Sequence, residues 1–471
     1  MVSLAARTRL VSRHSPKLIL FTMCLGVFIA QLDSQVVNLA IKHIGTDLNA
    51  GISQLQWVMD SYNLLYATLL LTGGTLGDLY GRVRIFAIGI GLIVLGSIVC
   101  AVAPNAIVLI AGRALTGIGS ALEVPTSLAI LTVTYTEAKE RASAIGIWAG
   151  CNGLALAVGP TIGGLLVDIA GWRGIFALVV PVSALAMALA IKRVPESSDA
   201  KGRHLDPAGQ VLAVVALAAL SFVTIEGPHW GWTSPTILAL AAVFVVSAAI
   251  FIGVERDKAG ALVPLDYFRN RQFSAALAVA GMMTFGMYAM LFLTPLYLQS
   301  LAGASAFVVG LELLPLSLTF VLVSHYSGAL AKHLGARIIM AAGMAAMGGG
   351  LLLLTFISPT PNLLLIECAL LVIGAGLGLN TGPVNAVAVA SLPPARSGTA
   401  SGLINTARMV GATLGIAVLG AAFAVQAAGQ TAEAMVSGLR LAYLGGGLVE
   451  FAGAVIALIF VPDDALEQRK D

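Results

Sequence analysis

Apolar runs of about twenty residues recur along this chain with only short polar turns between them, and that pattern fixes the class of fold open to it. A helix crossing a bilayer needs about 20 mostly apolar residues, because lipid offers its backbone no hydrogen-bond partners. Fourteen such runs are expected to span, near residues 18–40, 55–77, 85–103, 106–128, 143–167, 171–192, 207–226, 234–254, 271–300, 305–330, 337–357, 363–388, 397–426 and 437–461. Apolar residues make up 58% of the chain and charged residues 10%, against about 45–50% and about 25% in soluble domains. The expected class is therefore an all-α integral membrane protein. Cys24, Cys100, Cys151 and Cys368 all fall inside apolar runs, so no disulfide framework is visible.

An even number of spans puts both termini on one side, and basic residues decide which. Turns on the side of the termini hold 21 of the 26 Lys and Arg residues, among them Arg82, Arg84, Lys192, Arg193, Lys201, Arg256, Lys332 and Arg337. The opposite side holds only Lys42, Arg173 and Arg440, and Arg113 and Arg408 lie inside spans. Both termini are expected in the cytoplasm, with Trp57, Trp172, Trp230 and Trp232 at the outer interface. The first run exceeds the usual signal-peptide length and carries Asp33, so it reads as a span rather than a cleaved leader.

A charged glycine turn breaks the apolar pattern at Gly74-Thr-Leu-Gly-Asp-Leu-Tyr-Gly81-Arg-Val-Arg84. It recurs as Gly328-Ala-Leu-Ala-Lys-His-Leu-Gly335-Ala-Arg337, with the same seven-residue glycine spacing. One copy per half-chain points to two related helical bundles that move against each other. The first copy resembles the loop motif between spans 2 and 3 of the major facilitator superfamily. The resemblance implies the major facilitator fold and a conformational latch made by Gly74, Asp78, Gly81, Arg82 and Arg84. The charged segments 193–206 and 255–270 bracket two runs, 207–226 and 234–254, with no counterpart in a six-plus-six repeat. The expected order is a cytoplasmic segment 1–17, a bundle over 18–192, linkers with the inserted pair over 193–270, a second bundle over 271–461 and a cytoplasmic tail 462–471.

Ionisable groups inside spans are costly and usually face a cavity or a partner. Arg113, Thr116, Ser120, Glu123 and Ser127 fall within about 80° of one another on a helix, a polar stripe that must face water or protein. Asp33 and Arg113 lie at equal depth and make a natural pair. Either the pair fixes helix packing, or Asp33 or Asp60 exchanges a proton beside Arg113. Asp33 is the first choice for coupling. Glu123 has no cation on its own stripe at its depth, which favours proton uptake; a bond to a neighbouring helix is the alternative. Arg408 and Glu450, also matched in depth, read as a staple between two helices. Met283, Met287, Met290 and Tyr297 form a second stripe, suited to an adaptable pocket or to plain packing. Together with Gln31, Asn38, Ser120 and Glu312 they are the candidate substrate contacts.

Gly146, Ala155, Gly159, Pro160, Gly163 and Gly164 in the fifth run resemble the span-5 motif of antiporters in the same superfamily. The run Leu32-Asp33-Ser34-Gln35-Val36-Val37-Asn38-Leu39-Ala40 resembles the signature of its fourteen-span drug:proton antiporters, and Leu109–Gly119 with Arg113 resembles a motif associated with proton transfer. These likenesses imply an alternating-access antiporter of the bacterial inner membrane, exporting amphipathic drugs or related small molecules for protons. An exporter of an endogenous metabolite or siderophore is the near alternative. An importer of an anionic nutrient would call for more cavity cations than Arg113. A sensor or enzyme would call for a soluble domain or a cluster of nucleophiles. No nucleotide-binding loop, metal cluster or cofactor motif is present, and no nucleic-acid partner is expected; the proton gradient is the expected drive. The partners expected are lipid, substrate and protons. An accessory export protein would leave no mark on this sequence.

Overall fold

A computed structural model describes residues 15–200, 204–256, 258, 261–393, 396–427, 431–463 and 465. The basic residues Arg7, Arg9, Arg13, Lys201, Arg203, Arg469 and Lys470 lie outside them. The described residues are helical, without a strand. The helices are α1 (Pro16–Asp47), α2 (Ile52–Tyr80), α3 (Arg82–Ala101), α4 (Ala106–Thr134), α5 (Ala138–Arg193), α6 (Pro207–Trp230), α7 (Pro235–Glu255), α8 (Arg271–Leu301), α9 (Ala306–Glu312), α10 (Leu314–Leu334), α11 (Ala336–Leu353), α12 (Leu363–Ala390), α13 (Ser397–Ala427) and α14 (Ala432–Phe460). Their starts are written in short polar residues. The side chains of Asn105, Asp206, Ser234, Asn362 and Thr431 each accept a hydrogen bond from a backbone N–H of the helix that follows.

Twelve of these stretches are long and apolar enough to cross a membrane. One of the twelve, α5, is two helices joined at Gly171, where φ is 69° and the chain kinks between two expected spans. The expected second span, α2, falls short on composition because Gln54, Gln56, Asp60 and Asn63 dilute its apolar residues. The span expected to run unbroken over 305–330 stops after Glu312 and restarts at Leu314. Pro315 at the first turn of α10 has no N–H to carry the ladder across the break.

Packing repeats between the halves. The contacts α3–α4, α2–α4, α1–α5 and α3–α5 in the first half recur as α11–α12, α10–α12, α8–α13 and α11–α14 in the second. The two glycine turns repeat as well. Gly81 (φ 109°, ψ 125°) and Gly335 (φ 85°, ψ 142°) each end one helix and start the next in a conformation that side chains resist. The pair α6–α7 packs as a hairpin, and α6 leans on α2 and α13. Three bonds hold α6 to α2. Trp57 Nε1 donates to Glu226 at 3.0 Å, Gln210 Nε2 donates to the Thr68 carbonyl at 3.1 Å, and Thr72 Oγ1 bonds Gln210.

The halves meet closely at the end that carries Lys42 and Asp168. Lys42 Nζ donates to the Gln299 carbonyl, and Gln299 Nε2 returns a bond to the Leu39 carbonyl at 2.9 Å. Gln56 Nε2 reaches the Ile416 carbonyl on α13 at 2.9 Å. The Asp168 carboxylate accepts from the backbone N–H groups of Ala306 and Phe307 at 3.1 and 3.0 Å, closing the start of α9. At Gly164 a Cβ atom would stand 2.2 Å from the Ala306 carbonyl oxygen, and at Gly310 one would stand 2.5 Å from that of Pro160. The opposite ends of α5 and α10 have no such fit. Gly146, Gly150, Gly153 and Gly328 have nothing within contact range, and Leu318, Leu322 and Tyr326 are exposed. Gly146, one of the residues of the antiporter-type motif, faces open space at the end where the halves diverge.

A larger residue at Gly164 must separate the halves or distort α9. With spin labels at the exposed positions Thr46 and Ser300, Gly164→Leu is expected to lengthen the distance between them in electron resonance measurements. A distance distribution identical to the parent's would remove Gly164 from the closure.

Candidate transport and proton site

Arg113 is buried in the first half and holds three helices together. Its Nη1 bonds Asp33 Oδ2 on α1 at 2.5 Å, its Nε donates to the Val58 carbonyl on α2 at 3.3 Å, and its guanidinium lies 4.5 Å from the Tyr62 ring centre. Neither charged group has measurable exposure beyond 1%. Tyr62 in turn sets its hydroxyl 3.0 Å from Ser120 Oγ and 3.1 Å from the Ala30 carbonyl. The pair read from equal depth in the sequence is thus formed. Tyr62 had no signal beyond its helical register opposite Arg113.

Asp60 lies on α2, 0% exposed, and among the described residues no cation or donor reaches either carboxyl oxygen within ordinary hydrogen-bond geometry. The hydroxyls of Ser221 on α6 and Thr413 on α13 face it. The sequence offered Asp60 as a possible proton exchanger but gave no hint that an inserted helix would supply one of its neighbours. Glu123 is likewise buried, without a hydrogen-bond partner among the described residues, and its carboxyl lies against Gly26 of α1, where a Cβ would stand 2.5 Å from Oε1.

The expected staple between Arg408 and Glu450 does not form. Glu450 turns toward Gly286 of α8, and the Arg408 guanidinium donates instead to the Thr381 carbonyl at 3.4 Å. Equal depth is not equal azimuth, and α14 aims its carboxyl at α8 rather than at α13. Glu312 ends the short α9 at the helix break, half-buried, with one carboxyl oxygen unpartnered.

The glycine turn between α2 and α3 is built as a latch would be. Arg82 bonds Asp78 at 2.7 Å, four residues away. The Asp78 carbonyl accepts from Asp199 N–H at 3.0 Å, and Arg82 N–H donates to the Ser197 carbonyl at 2.9 Å. Glu196 accepts from the N–H groups of Val83 and Arg84, both at 2.9 Å, at the start of α3. The linker after α5 thereby straps the turn, a role for Glu196 that sequence reading missed. The Arg84 side chain is exposed, and a Cβ at Gly74 would stand 3.6 Å from Pro125.

In the antiporter-type motif, Gly159 packs against Gln35 and Gly163 against Val36 on α1, so the motif seats α1 as well as the C-terminal half. The methionine stripe is wholly inside. Met283, Met287, Met290 and Tyr297 are at most 5% exposed, and the Tyr297 hydroxyl donates to the Ser358 carbonyl at 2.7 Å. In this conformation that stripe packs the second half rather than lining an open cavity. Asn38 and Ser120 are buried, and Gln31 is partly exposed. Among the described residues no cluster of His, Cys, Asp or Glu could hold a metal ion.

The sequence model of the Major Facilitator Superfamily matches residues 23–416. Over 400 residues the chain is 39% identical to the Multidrug resistance protein Stp of Mycobacterium tuberculosis, covering 85% of this chain and 74% of that one. It is 34% identical over 406 residues to the Methylenomycin A resistance protein of Bacillus subtilis, covering 85% and 86%. With the Tetracenomycin C resistance and export protein of Streptomyces glaucescens it shares 31% over 409 residues, covering 87% and 76%. Among solved structures, a peptide transporter POT in complex with sulfate superposes with a TM-score of 0.71 over 96% of each chain, at 17% identity. That likeness is one of fold.

Removing one member of a buried ion pair strands the other, at a cost of about 3–5 kcal/mol. Asp33→Asn is expected to lose stability of that order in thermal unfolding of the purified protein. The double variant Asp33→Asn with Arg113→Met should recover most of it. A single variant as stable as the parent would mean that the pair carries no structural charge balance.

Proposed function

Because the chain belongs to the Major Facilitator Superfamily, we propose that it is a secondary active transporter of the bacterial inner membrane, exporting amphipathic drugs or related small molecules in exchange for protons. The observation that carries this reading is the closure of the two halves at one end and their divergence at the other, around buried carboxyls that have no cation. The named resistance and export proteins it resembles support the direction of transport and the class of substrate. The basic asymmetry of the turns supports cytoplasmic termini, so the open end faces the cytoplasm and the Asp168 end is shut against the outside. No cofactor or metal is needed; the chemistry is proton exchange and conformational change. Export of an endogenous metabolite or siderophore is the same mechanism with another cargo.

The geometry supports a division of labour that differs from the first choice made on sequence. Arg113 keeps its charge at any working pH and holds Asp33 as its counter-ion. Asp60 and Glu123 have no such partner. A buried carboxyl without a counter-ion is stable in its neutral form and ionises when water or a cation arrives. Asp60 is the better carrier of the coupled proton, since it sits where α2 of one half, α13 of the other and the inserted α6 converge, and rocking the halves changes its surroundings. Asp33 and Arg113 then act as the fixed charge pair around which the first half keeps its shape.

Three measurements test this reading. In inverted vesicles energised with a proton gradient, Asp60→Asn is expected to abolish uphill dye or drug accumulation while substrate exchange down its own gradient persists. Accumulation at the parent's rate would pass the coupling role to Asp33 or Glu123. Asp78→Asn removes the Arg82 pair at the latch and is expected to slow transport with substrate affinity intact; parental kinetics would exclude the latch. Reporter fusions after Lys201 and at Asp471 should both signal from the cytoplasm, and an external signal at either would overturn the orientation.

A further inference from the structure

A cavity of about 320 Å³ lies at the seam between α2 and α13, walled by both halves and by the inserted hairpin. Leu71 of α2 and Val410 of α13 face Leu220 of α6 and Ile252 of α7 across it, and Val263 closes its floor. The floor is built. Glu255 Oε2 accepts from the Val263 N–H at 2.7 Å, and Asp206 caps α6 by accepting from Gly209 N–H at 2.8 Å while pairing with Lys258. Burial works against the Asp206 charge, yet hydrogen bonds from Glu255, Lys258 and Gly209 hold its carboxyl down at about 2. Lys258 is therefore committed to Asp206.

The mouth of the cavity opens on the lipid-facing surface. Ile252 lines the cavity and is also 55% exposed, beside the exposed Val245 and Val246 of the same helix. One turn further, Arg256 continues α7 in helical conformation (φ −60°, ψ −40°), on the same face as Ile252. Its side chain is exposed, and among the described residues no carboxylate lies within salt-bridge distance of it. An apolar slot with a cation at its rim matches an anionic amphiphile and disfavours a cationic one.

We propose that this cavity binds an acyl chain of an anionic phospholipid whose phosphate is held by Arg256. Because α2 and α13 belong to opposite halves, the cavity changes shape when they rock, and a lipid that fits one shape favours that conformation. The inserted pair thereby becomes a lipid-reading wall of the transporter. Leu220 and Leu414, both in the cavity lining, are chain neighbours of Ser221 and Thr413, so the cavity adjoins the helix segments that face Asp60. The placement of Arg256 at the cytoplasmic leaflet rests on the orientation proposed above; the binding itself does not.

The test reads lipid retention without any transport, so it stands or falls apart from the export reading. Full-length protein in mild detergent is titrated with phosphatidylglycerol or with phosphatidylcholine of the same chains, and bound lipid is counted by native mass spectrometry. The parent is expected to prefer phosphatidylglycerol by about fivefold, the contribution of one basic side chain to an anionic headgroup. Arg256→Gln should erase that preference, and Ala216→Phe, which fills the cavity, should cut retention of both lipids. Arg256 is a surface residue, so its arm holds even where Ala216→Phe disturbs packing. Equal binding of the two lipids by the parent would overturn the proposal, as would an unchanged preference in Arg256→Gln. Displacement of the lipid by ethidium would assign the cavity to substrate instead, and so overturn it as well.

Discussion

The first half of this molecule is organised around one charge that cannot be removed. Arg113 sits with no solvent exposure in a low-dielectric bundle, where an unpaired guanidinium would cost many kcal/mol. Asp33 meets that cost from α1, the Val58 carbonyl and the Tyr62 ring from α2, and the three helices are held in register as a consequence. Among the described residues of the second half no equivalent pair is formed: Arg408 donates to the Thr381 carbonyl, and Glu450 faces Gly286. The repeat is a repeat of packing, and its electrostatics are one-sided.

That asymmetry frames how the halves can move. At the Asp168 end they are joined by bonds that cross from one half to the other, through Lys42 and Gln299, Gln56 and Ile416, and Asp168 with the start of α9. These are a handful of polar contacts over glycine-lined surfaces, so closure can be made and broken without unpacking either core. At the other end the glycine turn is strapped by Glu196 and the 197–199 segment within the first half, leaving α5 and α10 apart. The inserted hairpin lies across the α2–α13 seam, where it meets both halves at once. Its place puts the hydroxyl of Ser221 from α6, together with that of Thr413 from α13, beside Asp60 of α2.

Legibility in the sequence followed the physics of each feature. Helix class and most helix ends could be read because the membrane imposes length and apolarity, and because caps are local. The repeat could be read because Gly81 and Gly335 need a positive φ that leaves a mark on residue type. Asp33 and Arg113 could be paired because depth is set by counting along a helix. Helical count supplies depth but not direction, and that is where Arg408 and Glu450 parted. Between the two readings of the methionine stripe, pocket or packing, the sequence could not choose for the same kind of reason. A stripe shows which residues share a face, and only the neighbouring helices decide whether that face meets water or a core.

The sequence by itself determined the membrane fold, the two-bundle repeat with an inserted pair of runs, and the set of buried charges, since these depend on periodicity, length and residue type. The tertiary structure alone decided which charges meet, which end of the molecule is shut, that Ser221 of α6 and Thr413 face Asp60, and that an apolar cavity lies under that junction. Those depend on the rotation of each helix about its axis and on contacts between residues hundreds of positions apart. Neither leaves a trace in any local window of the chain.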